Sequence, residues 1–216
     1  LHRDLKPDNV LATELKIERK LDAGRIRLSL FQDDIHDAII AQFAPLVAGS
    51  ATLYSYQQNI DHVRARGAEL VFEANNVFVR DLSLTSTLTW LDAKTLAMSG
   101  RASATAAPGA AIGKKLPNIP DWRASLIATY RLGERWTFTA AGRYSDKLWT
   151  TLDNTDVNPN TYQGFAPWFA ADARIHYRAA QHWSASLGVD NVFNRKYFLF
   201  HPFPQRSFVT DVKYNF

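Results

Sequence analysis

Apolar and polar residues alternate with a period of two along most of this sequence, and no other period is sustained. In the closing stretch RSFVTDVKYNF, one phase holds Phe208, Val212, Tyr214 and Phe216. Because successive side chains of a β-strand point to opposite faces, such a stretch has one apolar and one polar face. The alternation therefore predicts an all-β, antiparallel fold. We expect about nine strands, at residues 10–22, 25–41, 54–74, 80–95, 119–132, 135–150, 166–179, 182–198 and 206–216.

The connections between these strands are alternately short and long. The tight ones fall at residues 23–24, 75–79, 133–134 and 180–181. The others, at about 42–53, 96–118, 151–165 and 199–205, are longer, although the last is only moderately so. In an up-and-down sheet, every short turn then lies at one end and every long loop at the other. Transmembrane β-barrels of bacterial outer membranes have this layout.

The aromatic residues of the apolar phase are expected at two heights. Those near the short turns are Tyr130, Trp136, Tyr177, Trp183 and Tyr214, and those towards the long loops are Trp90, Trp122, Tyr144 and Phe169. Ala, Leu and Val occupy the positions between them. Amphipathic rings at two levels are typical of the two water interfaces of a membrane. We therefore expect these residues to form the girdles of a transmembrane β-barrel.

The polar phase carries charges in succession, as in Asp172, Arg174, His176 and Arg178. On a lipid-facing surface, each Arg or Lys would cost up to about 2–4 kcal/mol at mid-depth. We therefore expect these side chains to face a wet interior. The outer strands of a soluble barrel would carry them equally well, so a soluble β-barrel or sandwich that serves as a binding module stays an alternative.

Composition excludes several other classes. The sequence has no cysteine, which excludes disulfides and thiolate chemistry. Its 25 basic and 21 acidic residues nearly balance, and no long basic run occurs, so no nucleic-acid partner is expected. No stretch is long and apolar enough for a transmembrane helix. The histidines lack metal-ligand spacing and no Ser/His/Asp order stands out, so we predict no enzyme activity, no catalytic residue, no metal site and no cofactor.

The opening letters HRDLKPDN match the catalytic loop of protein kinases, in which Asp4 would be the base and Asn9 a magnesium ligand. The remaining parts of such an enzyme are missing, because no glycine-rich loop precedes the motif and no DFG or APE follows it. We interpret this stretch as the end of a loop, with Pro7 starting an extended segment.

Nine strands would not close a barrel of the usual kind, because single-chain outer-membrane barrels normally have even strand numbers. An open sheet would also leave two unpaired edges, which lipid does not tolerate. We therefore expect a cut through a larger barrel at Leu1, whereas Phe216 closes the last strand on its apolar phase.

Four motifs resemble those of TonB-dependent outer-membrane receptors, in that family's order. GVDNVFNRKYF (188–198), followed by HPFPQRSFVTDVKYNF (201–216), resembles the family's C-terminus, where an Asn-Leu-Phe-Asn/Asp-x-x-Tyr element precedes a last strand ending in Phe. GKKLPNIPDWRASLIATYRL (113–132) is similar to the family's Leu-Pro-x-x-Pro entry into a strand. NIDHVRARGAELVFEA (59–74) resembles its Ala-x-x-x-Gly-x-Glu strand, and DLKPDNVLATEL (4–15) its Leu-Lys-Pro-Glu segment.

This resemblance implies a 22-stranded barrel with an N-terminal plug, of which residues 1–216 would be the C-terminal portion. Such receptors lie in the bacterial outer membrane and take up ferric siderophores, or sometimes cobalamin, haem or sugars. The TonB complex pulls on the N-terminal region to admit the ligand. The resemblance also implies contact with lipid and lipopolysaccharide, and recognition by the barrel-assembly machinery through the last strand, with Tyr214 and Phe216 as the signal. A passive porin-like channel without a plug is the alternative within the membrane class.

Ligand-binding candidates lie in the long loops. Cations that would attract an anionic ferric chelate are Arg101, Lys114, Lys115 and Arg206. Aromatic residues that would stack on catechol or hydroxamate groups are Tyr162, Phe165, Trp168 and Phe203, with His201 beside them in the last loop. The alternative for each residue is ordinary exposed loop chemistry, or contact with lipopolysaccharide phosphates.

Overall fold

The computed structural model of the protein describes residues 5–44, 47, 50, 52, 54–103 and 106–216. Within these ranges the chain forms strands and no helix, so that no described residue lies in a helix long and apolar enough to cross a membrane. The strands are β1 (Asn9–Leu21), β2 (Gly24–Ala44), β3 (Tyr54–Ala74), β4 (Leu82–Ala97), β5 (Trp122–Leu132), β6 (Trp136–Ser145), β7 (Trp168–Arg178), β8 (Trp183–Asp190), β9 (Phe198–Leu199), β10 (His201–Pro202) and β11 (Ser207–Tyr214).

Nine of these strands make one antiparallel sheet in the order β1-β2-β3-β4-β5-β6-β7-β8-β11. The short strands β9 and β10 form a separate two-stranded pair, inside the connection that joins β8 to β11. The predicted all-β, antiparallel, up-and-down architecture is therefore confirmed. Among the described strands, β1 and β11 form the two edges of the sheet and do not pair with each other.

Short and long connections fall at opposite ends of the sheet, as predicted. The turns after β1, β3, β5 and β7 comprise residues 22–23, 75–81, 133–135 and 179–182. The connections after β2, β4, β6 and β8 comprise residues 45–53, 98–121, 146–167 and 191–206. We call these two ends the short-turn end and the long-loop end.

Two predicted strands are too long. The eighth was expected to run to residue 198, but β8 ends at Asp190. Asn191 follows with a φ of 51°, and its side chain bonds to the backbone of Arg195, so the chain turns there. The sixth was expected to reach residue 150, but β6 ends at Ser145, where the Asp146 side chain accepts the N–H of Lys147 at 2.8 Å.

The kinase-like opening leads into a strand. His2 and Asp4 lie outside the described residues. Asn9 is the first residue of β1 and stands opposite His36 of β2. Because a kinase catalytic loop needs its Asn in a loop beside the phosphates, this position agrees with the loop-end interpretation and not with the kinase motif.

One face of the sheet is apolar between two rows of aromatic residues, and we call it the outer face. At the short-turn end, Trp136 stands opposite Tyr177, with ring centroids 4.3 Å apart. Trp183 stands opposite Tyr214 at 4.9 Å, and Tyr130 continues this row on β5. These five residues were the ones predicted near the short turns.

The second aromatic row crosses the outer face towards the long-loop end. Trp90 stands opposite Trp122, with ring centroids 6.5 Å apart, and Tyr144 stands opposite Phe169. Along β6 the two rows, at Trp136 and Tyr144, are separated by about 26 Å if each residue advances about 3.3 Å. An outer-membrane barrel carries an apolar band about 25 Å tall.

On β2, β3 and β4 the outer face changes from apolar to polar just above the row that contains Trp90. The pair Leu30–Ala68 is followed by Gln32–Arg66, and further polar pairs continue towards the long loops. The opposite, inner face changes from polar to apolar in the same direction, from Arg25–Glu73 near the short turns to Ile35–Val63 near the long loops. The apolar band of the outer face therefore ends at a defined level on the side of the long-loop end.

The inner face is polar across the apolar band. Arg25 donates to Glu73 at 2.9 Å, and Arg143 donates to Asp172 at 2.9 Å. Hydroxyl pairs such as Thr87 and Ser125 supply neutral hydrogen bonds between strands. The residues expected to face an interior, namely Asp172, Arg174, His176 and Arg178, alternate with the outer-face residues of β7.

A buried apolar core lies at the long-loop end, where the connection after β4 packs against the inner face of β2, β3 and β4. Ile60 and Val63 of β3 and Leu152 of the connection after β6 are among its fully buried members. Backbone bonds hold the connection in place, since Leu116 donates to Ala93 at 3.0 Å. This core positions the long loops.

Candidate ligand-binding surface at the long-loop end

The loops after β6 and β8 are joined to each other at the long-loop end. The N–H of Gln163 donates to the C=O of Phe200 at 2.7 Å, and the N–H of Phe200 donates to the C=O of Gly164 at 3.3 Å. The side chain of Asn160 donates to the C=O of Lys196 at 2.8 Å. These bonds fix the two loops relative to each other, so their side chains form one surface.

Four rings from these loops meet in what we call the aromatic loop cluster, made of Tyr162, Phe165, Phe200 and His201. The Tyr162 ring lies 5.9 Å from Phe200 and 5.7 Å from His201, and Phe165 lies 6.3 Å from Phe200. Tyr162 is 56% exposed and Phe200 is 42% exposed. Exposed neighbouring rings suit stacking against a planar aromatic ligand. Three of the four, all except Phe200, were predicted from the sequence.

A second group of rings ties β7 to the loop after β8. Tyr197 stacks on Trp168 at 4.8 Å and on Phe203 at 4.9 Å. Tyr197 is 5% exposed, and burial raises the pKa of its hydroxyl, so the group stays neutral at physiological pH. The indole nitrogen of Trp168 is buried and has no hydrogen-bond partner among the described residues. Trp168 and Phe203 therefore pack on a buried tyrosine.

Asn191 shapes the loop after β8. Its buried side chain accepts the N–H of Arg195 at 2.8 Å and donates to the C=O of Arg195 at 2.8 Å. Its own N–H donates to Asp172 at 2.9 Å. Asn194, with a φ of 53°, accepts the N–H of Arg206 at 3.1 Å. The NVFNRKY element thus acts here through turn geometry.

Exposed cations also lie in the connections at the long-loop end. Those in the same loop as Phe200 are Arg195, Lys196 and Arg206, and those in the connection after β4 are Arg101 and Lys114. The Nε of Arg206 donates to the C=O of Val192 at 3.1 Å. The Arg101 guanidinium donates to the C=O of Ala106 at 3.3 Å. These bonds leave most of the guanidinium donors of both arginines free for an anion.

Lys115 is held in an ion network on the outer face. Its Nζ donates to Asp92 at 2.8 Å and to both carboxylate oxygens of Asp121 at 2.9 Å. Burial alone would lower the pKa of Lys115, but the hydrogen bonds to the two carboxylates outweigh burial and raise it. The side-chain ammonium of Lys115 therefore bonds to this network and not to the aromatic loop cluster.

The loop after β6 has an internal brace built on Asp156. Its carboxylate accepts the N–H of Thr150 at 2.8 Å, the hydroxyl of Thr151 at 2.7 Å and the side-chain amide of Asn158. Burial alone would raise the pKa of Asp156, but these hydrogen bonds outweigh burial and lower it. The ionised carboxylate thus holds the loop that carries Tyr162.

Two histidines, His36 and His62, lie side by side on the outer face. His36 and His62 stack with ring centroids 4.4 Å apart, and the Nε2 of His62 lies 3.0 Å from Asp34. Across the described part of the chain, however, no group of three or more His, Cys, Asp or Glu side chains is arranged to hold a metal ion.

Sequence reasoning missed Phe200, Arg195 and Lys196 as members of this surface. The strand predicted for residues 182–198 includes both cations, so the sequence places them outside the loops. Asn191 and Asn194 were the available signal, since asparagine tolerates positive φ and often marks turns.

The residues predicted to signal assembly lie at the end of β11. Tyr214 stands on the outer face, and Phe216 is fully exposed beside it, with ring centroids 5.2 Å apart. Their position leaves both rings accessible at the short-turn end.

The chain is similar to proteins of known kind. A family model described as "TonB dependent receptor-like, beta-barrel" matches residues 3–192. A curated protein, the "Probable TonB-dependent siderophore receptor PiuA" of Acinetobacter baumannii, is 28% identical over 86 residues, which are 40% of this chain and 11% of that protein.

Solved structures share the fold at low identity. The ferric-catecholate import receptor Fiu from E. coli K12 has a TM-score of 0.72 and 19% identity, and the match covers 100% of this chain and 29% of that one. The copper transporter OprC has a TM-score of 0.71 and 18% identity over 99% of this chain and 32% of its own. A mutant of the ferric enterobactin receptor PfeA from Pseudomonas aeruginosa has a TM-score of 0.66, 17% identity and coverage of 98% and 32%. The chain thus spans about a third of the length of these solved structures.

Proposed function

Because the chain belongs to the TonB-dependent receptor-like β-barrel family, we propose that it forms part of an outer-membrane receptor for a ferric siderophore or a similar iron complex. The observation that carries this proposal is the aromatic loop cluster, in which Tyr162 and Phe200 are exposed at the long-loop end. Rings of this kind stack on catechol groups, and neighbouring cations attract an anionic chelate. The names of Fiu, PfeA and PiuA, which refer to ferric catecholate, ferric enterobactin and siderophore, support this ligand class.

We place the chain in the bacterial outer membrane, where residues 1–216 supply the C-terminal portion of a larger closed barrel. The support is the apolar band of the outer face between its two aromatic rows. β1 and β11 each carry one side without a hydrogen-bonded neighbour in the sheet, and lipid does not tolerate unpaired backbone groups. A 22-stranded barrel is consistent with the family.

Uptake is proposed to draw energy from the TonB complex, through a part of the receptor that lies outside this chain. This chain covers only 29% to 32% of the solved relatives described above, so the activity and partners of the whole receptor are assigned here by proposal. We also propose contacts with lipid and lipopolysaccharide on the outer face. Tyr214 and Phe216 are proposed to signal to the barrel-assembly machinery.

The test is uptake of radioactive iron as ferric enterobactin. The protein is expressed from its complete reading frame in bacteria that lack their own ferric-catecholate receptors, with and without TonB. We expect uptake that requires both the protein and TonB. Tyr162→Ala should weaken binding by about 2- to 10-fold, because one stacked ring contributes about 0.5–1.5 kcal/mol.

Phe193→Ala is the control, because Phe193 is 68% exposed in the loop after β8, which also carries Phe200, but contacts Phe169 of the outer face. This variant should transport normally. Uptake that persists without TonB would replace the proposal with the passive porin-like channel. Binding that is equally weakened in both variants would show that the aromatic loop cluster is not the ligand surface. A protein that stays soluble without detergent would favour the soluble binding module.

A further inference from the structure

The inner face of β5, β6 and β7 carries arginines at successive heights. They are Arg123 and Arg131 of β5, Arg143 of β6, and Arg174 and Arg178 of β7, and we call them the arginine stripe. Along β5, Arg123 and Arg131 are separated by about 26 Å if each residue advances about 3.3 Å. The arginine stripe therefore extends over the whole height of the apolar band on the opposite face.

Two members of the arginine stripe have small, neutral neighbours. Arg174 stands between Thr139 of β6 and Gly188 of β8, and Arg131 stands opposite Thr137 of β6. A Cβ on Gly188 would lie 3.1 Å from the Nε of Arg174, so the guanidinium lies over the bare backbone of this glycine. Among the described residues, neither of these two arginines takes part in an ion pair. Their charges are therefore available to an anion.

Carboxylates are scarce on this part of the inner face. Asp172 is the single acidic residue in the sequences of β5, β6 and β7, and it accepts from Arg143 at 2.9 Å. Arg178 lies 3.9 Å from Glu134 of the turn after β5, whose side chain is 92% exposed. An ion pair this long and this exposed contributes little. The arginine stripe thus keeps a large excess of positive charge.

The inner face of β2 and β3 is also rich in charge, but its cations are paired. Arg25 bonds to Glu73 at 2.9 Å, and Arg27 lies 3.6 Å from Glu69. Each of these cations therefore has an acidic partner on the neighbouring strand. The two parts of the inner face differ in net charge, and the unpaired cations lie on β5, β6 and β7.

The arginine stripe is continuous with the loop after β8. One carboxylate oxygen of Asp172 accepts from Arg143, and the other accepts the N–H of Asn191 at 2.9 Å. Asn191 begins the connection that carries Phe200 of the aromatic loop cluster. A ligand that leaves the loop surface therefore meets this part of the inner face next.

We propose that the arginine stripe is the side of the barrel interior along which an anionic ferric chelate moves after it leaves the loops, and that it selects chelates by their negative charge. This inference rests on the proposed function, which supplies both the closed barrel and the anionic chelate. A passage with one sign of charge on its wall concentrates ions of the opposite sign. Several cations in succession bind the chelate at each height without holding it at one of them, as conduction requires.

The test measures ferric enterobactin binding and uptake by the complete receptor, in bacteria that lack their own ferric-catecholate receptors. Binding is measured without TonB, and the initial rate of uptake is measured with TonB. The double variant Arg131→Gln, Arg174→Gln removes two unpaired charges, whereas Arg131→Lys, Arg174→Lys keeps both. Arg25→Gln, Glu73→Gln is the matched control, because it removes one complete ion pair from the inner face of β2 and β3 without changing the net charge.

We expect the glutamine variant to bind ferric enterobactin like the wild type but to import it about 10-fold more slowly, because the local concentration of an anion depends on the charge of the wall. The lysine variant and the control should import it at nearly the wild-type rate. Unchanged uptake in the glutamine variant would overturn the proposal. An equal loss in the lysine variant would also overturn it, because the arginines would then act through shape and not through charge. Uptake by the glutamine variant that no longer requires TonB would mean that the arginines hold acidic groups of the plug instead.

A second measurement needs no siderophore and keeps this inference separate from the proposed function. Hexacyanoferrate(III), a trivalent anionic iron complex, is titrated into the purified complete receptor by calorimetry. We expect the glutamine variant to bind it more weakly than the wild type and the control do. If this difference appears although no form imports ferric enterobactin, the proposed ligand alone is refuted. If uptake by the wild type requires TonB as expected, but hexacyanoferrate(III) does not distinguish the glutamine variant from the wild type, the arginine stripe alone is refuted.

Discussion

Asn154 and Lys115 hold each other by two hydrogen bonds, although 39 residues separate them in the chain. The N–H of Lys115 donates to the side-chain oxygen of Asn154 at 2.7 Å, and the side-chain amide of Asn154 donates to the C=O of Lys115 at 2.9 Å. This exchange imitates a pair of β-bridge bonds and joins the loop after β4 to the loop after β6. The loop of Tyr162 is thereby tied to the buried core.

Asn154→Ala should loosen the connection between these two loops. It removes the two hydrogen bonds to Lys115 and a third one, from the side-chain amide to the C=O of Thr151 at 3.1 Å, each with a net contribution of about 0.5–1.5 kcal/mol. We expect amide hydrogen exchange of residues 113–118 to accelerate about 10-fold, with the exchange of the strands unchanged. Asn160→Ala is the control, because Asn160 bonds to Lys196 in a different loop. Equal acceleration in both variants would mean that the hydrogen bonds between Asn154 and Lys115 do not specifically hold these residues in place.

Gly164→Ala should disrupt the aromatic loop cluster. A Cβ at this position would lie 1.9 Å from the C=O oxygen of Pro159, which is backbone and cannot rotate away. The loop must shift, and the bond between Gly164 and Phe200 should be lost with it. We expect ligand affinity to fall by at least 10-fold, as measured by ferric enterobactin binding, since misplacement of the rings removes their stacking.

Gly100→Ala is the matched control for Gly164. It lies in the loop after β4, and a Cβ there would meet only Gln58 at 3.5 Å and Met98 at 3.7 Å, which are ordinary contacts. This variant should bind normally. If Gly164→Ala bound as well as Gly100→Ala, then either the loop rearranges at little cost or the cluster takes no part in binding.

Much of the sheet could be predicted from the sequence, because alternation is a local property that every strand repeats. The sequence predicts Trp136 and Tyr177 on the same face and at the same level near the short turns. The two residues stand opposite each other, with ring centroids 4.3 Å apart. The end of β8 could not be predicted in this way, since Val192 and Phe193 continue the apolar composition. The turn depends on the positive φ of Asn191, which alternation does not report.

The candidate site was only partly predictable. The sequence predicts Tyr162 and His201 as ligand-binding loop residues, but their contact depends on backbone bonds between two loops that are separated in the sequence. The sequence predicts Lys115 as a ligand-binding loop cation, whereas the partners of its ammonium group, Asp92 and Asp121, lie on the outer face. Contacts between residues far apart in the chain decide where these side chains lie, and the periodic pattern of a single sequence does not reveal such contacts.

Acid should release the brace that Asp156 provides. The pKa of Asp156 is lowered in the folded loop, so its contribution is present above the pKa of the unfolded state, about 3.9, and is lost as pH falls through the folded value. We expect the protection factors of residues 150–158 to be constant from pH 7 to pH 5 and to fall below about pH 4.

Asp156→Asn should show reduced protection at pH 7 and little further change in acid, because its side chain no longer ionises. Asp153→Asn is the control, since the partner of Asp153 among the described residues is Thr155, two residues away. It should retain the pH dependence of the wild type. A wild-type loop that keeps its protection at pH 3 would rule out Asp156 as the brace.

Asn191→Ala should destabilise the protein by about 2–3 kcal/mol. The substitution removes the two hydrogen bonds that its side chain makes to the backbone of Arg195 and a longer one to the C=O of Pro204 at 3.4 Å, and each such bond contributes about 0.5–1.5 kcal/mol net. It also places alanine at a φ of 51°, a conformation that asparagine adopts more readily. Asn194→Ala is the matched variant, because Asn194 has a φ of 53° but is exposed and accepts a single bond from Arg206. Thermal unfolding in detergent should therefore show a clearly larger drop in Tm for Asn191→Ala. Equal drops would assign the effect to backbone strain, which the two positions share, and not to the buried hydrogen bonds that only Asn191 makes.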